Sequence, residues 1–310
     1  MMDCTDRHDR VFLRQFSKHT LLYTEMVTSA ALEHGDANYL LQHSLSEHPV
    51  ALQIGGCNPD ELARGALLGE QAGFDEINLN VGCPSDRVKS GSFGASLMAK
   101  PKLVAKCVAA MNKAVSIPVT VKSRIGIDDK DSETELIEFI ETIAATNCST
   151  FIIHARKAIL NGLSPKENRE VPPLDYSRVF SIKEKFPELE IIINGGIKDL
   201  KIAKNFLNKV DGVMLGREAY QNPYILHEVD QEFYDECIKD KSRIEYLMDY
   251  LPYVEKELNQ GTPLKHISRH LFGLFKGQRG GKKFRRYLSE NSHRPNAGID
   301  VLKNAISLLI

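Results

Sequence analysis

A single thiol is the first candidate for chemistry. Cys83 sits in Asn78-Leu-Asn-Val-Gly-Cys-Pro-Ser85, where an apolar, strand-like run ends in a Gly-Cys-Pro turn. Such a turn presents the thiol at the rim of whatever the strand belongs to. The other cysteines, at 4, 57, 107, 148 and 237, give no pair with the spacing of a CxxC redox or zinc motif, and no metal site is expected. What remains for Cys83 is the chemistry of a lone thiol, as nucleophile or as proton donor. Other strand-like runs also end in polar groups: Gln53, Asn80, Lys122, His154, Asn194-Gly195-Gly196 and Gly216-Arg217. Polar residues that finish buried strands need partners, and one ligand touching all of them accounts for the set. The glycines at 195, 196 and 216 leave backbone N–H groups open to a phosphate, and Arg217 adds a fixed charge. Lys122 and His154 are then expected at the more distant, reactive end of that ligand. Each residue also has a plain structural reading: a small core thiol, a satisfied histidine, a structural ion pair, a helix cap, a tight turn. Their succession at consecutive strand ends favours a site.

The elements that must hold these residues are legible as alternating patterns. Short apolar runs at Leu21–Glu25, Val50–Ile54, Glu76–Val81, Val119–Ser123, Phe151–His154, Ile191–Asn194 and Gly212–Leu215 read as strands buried on both faces. Amphipathic helices separate them: Pro59–Ala72 after an Asn58 cap, Glu133–Ala145, and Asp199–Asn208 with an aspartate cap. Alternation of this kind means a parallel α/β fold, and about 220 residues of it fit a (β/α)8 TIM barrel with its chemistry at the C-terminal strand ends. A doubly wound sheet is the alternative, weakened because no GxGxxG follows any strand. Seven strands are counted where a closed barrel needs eight. The stretch Thr5–Lys18, with Val11, Phe12 and Phe16, reads as a first barrel helix, so the first strand is expected upstream of Met1. After Tyr224 the texture becomes helical, at Leu226–Lys239, Ser242–Leu258, Leu264–Phe275, Lys282–Ser289 and Asp300–Leu309. The expected organisation is a barrel domain over 1–225 and a small all-α domain over 226–310.

Charge separates the two parts. Lys+Arg 40 against Asp+Glu 41 is near balance over 310 residues. Yet Lys265–Arg294 holds nine Lys/Arg and one acid, Glu290, a net of +8 in a chain whose net charge is −1. A basic block on an otherwise acidic protein suggests a polyanionic partner rather than a solvated face. No run is apolar enough for a membrane span, and the polar start, Met1-Met-Asp-Cys-Thr-Asp-Arg-His8, is no signal peptide. With reduced cysteines this reads as a cytoplasmic protein.

These residues together resemble the flavin-dependent tRNA-dihydrouridine synthases, most closely the A subfamily. The likeness rests on Met1–His8, Gln53-Ile-Gly-Gly56, Asn78–Ser85, Gly91-Ser-Phe-Gly-Ala-Ser-Leu97, Lys122-Ser-Arg-Ile-Gly126, Ile153-His-Ala-Arg156, Ile193-Asn-Gly-Gly196 and Met214-Leu-Gly-Arg217. Gly162–Glu170 and Leu288–Pro295 point to the subfamily. The resemblance implies a barrel binding FMN, NADPH as reductant, and a helical domain gripping tRNA, with no stable protein partner. It implies reduction of the C5–C6 double bond of D-loop uridines, at the positions called 20 and 20a. Cys83 would donate the proton to C5. Met1, Met2, Gln53, Lys122, His154, Asn194, Gly195, Gly196, Gly216 and Arg217 would hold the cofactor. Asn80, Lys166, Arg169, Lys282 and Arg285 would meet the tRNA. The family also has a strand ending in Ala-Pro directly before this Met-Met, which agrees with the strand count. The readings set against it are an FMN barrel oxidoreductase of the dihydroorotate dehydrogenase type, a flavin-free phosphate-binding barrel lyase or isomerase with Lys122 as a Schiff-base lysine, and a non-catalytic tRNA-binding protein. The basic block disfavours the first, since a small substrate does not need it.

Overall fold

The computed structural model describes residues 1–85, 91, 93–237 and 240–309. They form two compact units, the first of Met1, 21–43 and 48–215, the second of 2–20, 44–47 and 216 onward.

The first unit is built on one all-parallel sheet of eight short strands: β1 (Leu22–Tyr23), β2 (Val27–Thr28), β3 (Val50–Gly55), β4 (Glu76–Asn80), β5 (Val119–Arg124), β6 (Thr150–His154), β7 (Glu190–Asn194) and β8 (Gly212–Met214). β1 and β2 both pair with β3, at Leu22↔Val50 and Val27↔Ile54, while the other edge of β3 takes β4. They therefore share one lane, and the seven lanes follow chain order, as the seven apolar runs suggest. Helices cross back between consecutive lanes, giving a curled, TIM-barrel-like β/α layer. Among the described residues, β1 and β8 do not pair with each other.

The strands β3, β4 and β5 form because nearly every side chain on them is removed from water; all six residues of β3 are buried. The helix starts are fixed chemically. Asn58 accepts from the amides of Asp60 and Glu61 to open Pro59–Ala72, and Ser132 with Glu135 makes a capping box for Glu133–Ala144. Asp199 caps Leu200–Phe206. Gly69 lets Pro59–Ala72 lie close on the sheet: a Cβ there would come 2.6 Å from a methyl of Leu52 and 2.7 Å from one of Ile77. Matching β-strand ends then carry the polar residues: in the pairing register Asn80 lies beside Lys122, and His154 beside Asn194.

The second unit corrects several expectations. Thr5–Lys18 is helical only over Arg7–Leu13, and it packs in this unit rather than in the barrel. The reason is aromatic: the Phe12 ring lies 5.1 Å from that of Tyr250, and Phe16 4.2 Å from Tyr246, both on the helix Arg243–Asn259. Ser17 Oγ and the Lys18 amide also donate to the Asp230 carboxylate. The second compact unit takes in residues 2–20 and the chain from residue 216 onward. The expected helix 226–239 is a 3-10 turn, Pro223–Glu228, followed by Val229–Tyr234, which ends at Asp235 with φ 53°. Residues 238 and 239 of that expectation lie outside the described set. Leu264–Phe275 likewise splits into Leu264–Ser268 and a 3-10 segment, Arg269–Gly273. No helix among the described residues is long and apolar enough to cross a membrane.

This unit should be acid-sensitive through His8. Burial pushes the His8 imidazole down to about 4, against the upward pull of Asp6, and its Nδ1 lies 2.8 Å from the Tyr253 hydroxyl. Between that value and the unfolded pKa of about 6.5 the unfolded chain holds the extra proton, so stability rises with pH across the window. The contribution is complete above about 6.5, is lost as pH falls towards 4, and amounts to roughly 3 kcal/mol. Urea midpoints of the wild type should fall through this range, and His8→Gln should flatten the profile. A flat wild-type profile would contradict the assignment.

Candidate active site

Cys83 is placed by its neighbour Asn80, at the end of β4. The Asn80 side-chain oxygen accepts from the Gly82 amide at 3.1 Å and the Cys83 amide at 3.0 Å, so the turn closes on its own strand. The Cys83 carbonyl accepts from the Ala95 amide at 2.9 Å, and its Sγ lies 3.5 Å from Ser85 Oγ. The thiol is half-buried. Of the motif Gly91–Leu97, Ser92 lies outside the described residues.

Around the turn the strand ends supply donors and cations. Gln53 Nε2 donates to Asn78 Oδ1 at 2.9 Å, and Asn80 Nδ2 donates to Gln53 Oε1 at 2.8 Å. Lys122 Nζ donates to Asn194 Oδ1 at 3.1 Å, while Asn194 Nδ2 donates to the Met214 carbonyl at 2.8 Å. Burial pushes the Lys122 amine down to about 8; Arg124 acts in the same direction and Cys83 opposes it. Burial also pushes Arg124 down to about 10, opposed by Cys83 and reinforced by Arg169 and Arg156.

His154 lies against the Gly195 backbone: a Cβ on Gly195 would stand 3.3 Å from the imidazole Cε1 and Nε2. Gly195 and Gly196 have φ 119° and 70°, a conformation that side-chain-bearing residues rarely take. The Gly195 carbonyl accepts from Tyr176 OH at 2.8 Å. Gln53, Asn80, Cys83, Lys122, His154, Asn194, Gly195 and Gly196 all belong to the first unit, at or just beyond strand ends except for Gln53 and Lys122, which lie inside β3 and β5. Met1 belongs to it as well; Met2, which is exposed, belongs to the second. Gly216 and Arg217 follow β8 in the chain and are counted with the second unit, where Arg217 opens the helix Arg217–Gln221.

The donor set fits a flat heterocycle rich in carbonyl oxygens and ring nitrogens, such as the isoalloxazine of FMN. Lys122 has three N–H donors and spends one on Asn194; Gln53 spends one of two. At Gly196 the missing side chain makes room for a protein neighbour, since a Cβ there would stand 2.5 Å from a Leu174 methyl.

The expected tRNA contacts fall in two places. Lys166 is exposed and Arg169 half-buried on the loop after β6. Lys282 is exposed and Arg285 half-buried on the helix Gly281–Asn291, whose other face buries Phe284 and Leu288. Sequence reasoning missed the residues that organise the first of these loops. Arg124 donates to the carbonyls of Gly82 at 2.9 Å and of Lys157 and Asn168 at 3.0 Å, tying the thiol turn to that loop. Asn168, fully buried, donates to the Ile159 carbonyl and accepts from the Ile159 amide. The arginine of Lys122-Ser-Arg-Ile-Gly126 was in view as a motif letter, but no spacing rule gives it a partner.

Comparison with known proteins gives a consistent result. Residues 1–309 match the family model described as dihydrouridine synthase. A Vibrio cholerae protein named tRNA-dihydrouridine(20/20a) synthase is 56% identical over 308 residues, covering 99% of this chain and 94% of that protein. An Escherichia coli K12 protein of the same name is 58% identical over 310 residues, covering 100% and 90%. Among solved structures, morphinone reductase superposes with a TM-score of 0.53 at 11% identity, covering 79% of this chain and 85% of that one, a likeness of fold alone.

Proposed function

The chain belongs to the dihydrouridine synthase family, and we propose that it reduces D-loop uridines of tRNA at positions 20 and 20a, using FMN reduced by NADPH. As a member it is a tRNA-dihydrouridine synthase, an oxidoreductase. The observation that carries the proposal is the turn that presents the half-buried thiol, capped by Asn80 and gripped by Arg124 through the Gly82 carbonyl.

When bound, reduced FMN supplies the hydride for C6 of the uracil. Every other role falls to the chain. Cys83 holds the proton for C5 on Sγ and delivers it as the general acid. Arg124 steadies the turn that carries the thiol, through the Gly82 carbonyl. Gln53, Lys122 and His154 orient the ring and ribityl parts of the cofactor. Asn194, Gly195, Gly196, Gly216 and Arg217 hold the remainder, with Met1 and Met2 contributing near the chain start. Asn80 meets the base, which must leave its stack to be reached. Lys166, Arg169, Lys282 and Arg285 hold the tRNA backbone, in the cytoplasm. Nucleoside mass spectrometry of tRNA from cells lacking the protein tests the activity: dihydrouridine should vanish from the mapped D-loop positions, and its persistence there would refute the reading.

The basic helix makes a second prediction. Lys282→Ala should weaken binding of all substrate tRNAs alike and lower the salt slope of log Kd by about one. Filter binding between low and moderate salt measures this, and an unchanged slope would remove Lys282 from the backbone contacts.

A further inference from the structure

A file of side-chain hydrogen bonds runs through the interior of the first unit, and the roles above use only its first members. It starts at the Gly82 and Cys83 amides, which donate to Asn80 Oδ1. Asn80 Nδ2 donates to Gln53 Oε1 at 2.8 Å, Gln53 Nε2 to Asn78 Oδ1 at 2.9 Å, and Asn78 Nδ2 to Thr120 Oγ1 at 2.7 Å. Thr120 Oγ1 then donates to Glu76 Oε1 at 2.6 Å, which also accepts from Tyr23 OH at 2.8 Å. The interior members are shielded from water, with Asn78 0%, Thr120 1% and Glu76 8% exposed.

Every bond in this file points the same way. One end consists of backbone N–H groups, which can only donate. The other ends on a carboxyl oxygen that accepts from two hydroxyls. The three amides between these ends have one consistent orientation, since a carboxamide offers its oxygen on one side and its nitrogen on the other. Reversing one amide sets nitrogen against nitrogen at the next and ends with Asn80 Nδ2 facing two N–H donors. Such a conflict costs the unmade bond of a buried polar group.

We propose that Thr120 and Glu76 are positioning residues, which lock Gln53 and Asn80 in one amide orientation and thereby make Asn80 a donor-only contact for the bound base. The two lone pairs of Asn80 Oδ1 are taken by the turn, and one of its two N–H groups by Gln53. What remains is a single N–H. A pyrimidine carbonyl can accept from it; the exocyclic amino group of cytosine, itself a donor, cannot. With Asn80 facing position 4 of the base, a carbonyl in uracil and an amino group in cytosine, the site selects uracil through groups that never touch the base. This deepens the synthase reading, because it rests on Asn80 meeting the nucleotide.

The test cuts the file without changing its volume. Thr120→Val removes the hydroxyl and keeps the shape, while Thr120→Ser restores the hydroxyl; Thr120→Ala serves in place of the valine variant should that one fail to fold. Two readouts need neither cofactor nor tRNA. In amide correlation spectra, the side-chain signals of Gln53, Asn78 and Asn80 should shift or broaden in Thr120→Val and return in Thr120→Ser. Peptide-resolved iodoacetamide labelling of Cys83 should speed up by about three-fold or more as the turn loses its fixed acceptor, again reversed by serine. A third readout uses tRNA carrying cytidine at the target position: the preference for uridine in binding should shrink by about three-fold or more in Thr120→Val only. Unchanged spectra and labelling in Thr120→Val would overturn the positioning role even with dihydrouridine formation established. Changed spectra with an unchanged uridine preference would overturn the specificity claim.

Discussion

Cys83→Ala is expected to reduce dihydrouridine formation by about 10²- to 10⁴-fold, the usual weight of a positioned general acid. Affinity for tRNA should stay within about two-fold, because the residues assigned to backbone contacts are elsewhere. The variant is clean for a structural reason. The turn is held through the Cys83 amide and carbonyl, by Asn80 and Ala95, so removing Sγ leaves both bonds in place. Cys83→Ser should be nearly as inactive, since a hydroxyl is a far weaker acid than a thiol. Single-turnover measurement with pre-reduced cofactor isolates the step. Equal rates in Cys83→Ala and wild type would exclude the acid role and leave the thiol as a small residue in a turn.

The parts of this molecule that were legible in the sequence share a physical feature: a local signal tied to a local consequence. Runs such as Val50–Ile54 are apolar on both faces because a parallel sheet covers both, and the strand β3 follows within one residue. Asn58, Ser132 and Asp199 mark helix starts because each accepts from amides two or three residues on. The strand-end residues were legible because polar groups closing apolar runs are costly unless used. What sequence could not reveal was choice of partner. Val11, Phe12 and Phe16 announce an apolar face, but nothing in their spacing says that Tyr246 and Tyr250, more than 200 positions later, will cover it. The polar file was half visible. Glu76, Asn78 and Asn80 alternate along β4, and a strand's period of two puts them on one face, a pattern that an apolar strand should not show by accident. Their reading as an apolar run hid it, and Thr120 on the next strand could be paired with them only once the register Asn78↔Thr120 was known. Arg124 is a similar case, since its three carbonyl partners lie 33 to 44 positions away.

The largest stability effect should come from a buried ion pair in the second unit. Arg10 Nε lies 2.7 Å from Glu47 Oε2, with side-chain exposures of 5% and 1%. The pair ties the segment 2–20 to the short segment 44–47, and each partner has further anchors: Arg10 also donates to the Thr5 carbonyl at 2.9 Å, and Glu47 Oε1 accepts from the Ser44 amide at 2.7 Å. Two charges withdrawn from water in this way gain little net energy over an apolar pair of the same volume, but each depends on the other. Arg10→Met strands a carboxylate where solvent cannot reach it and should cost about 3–5 kcal/mol. Glu47→Leu strands the guanidinium and should cost a similar amount. The double variant Arg10→Met, Glu47→Leu removes both charges together, so its loss should be well below the sum of the two, with a coupling of at least about 2 kcal/mol. Urea unfolding at pH 7, followed by the tyrosine signal of the second unit, measures all four proteins. Additive losses would mean that the charges act independently, through their backbone anchors rather than through each other. A loss below about 1 kcal/mol in Arg10→Met would mean that water reaches Glu47 and that the pair behaves as a surface one.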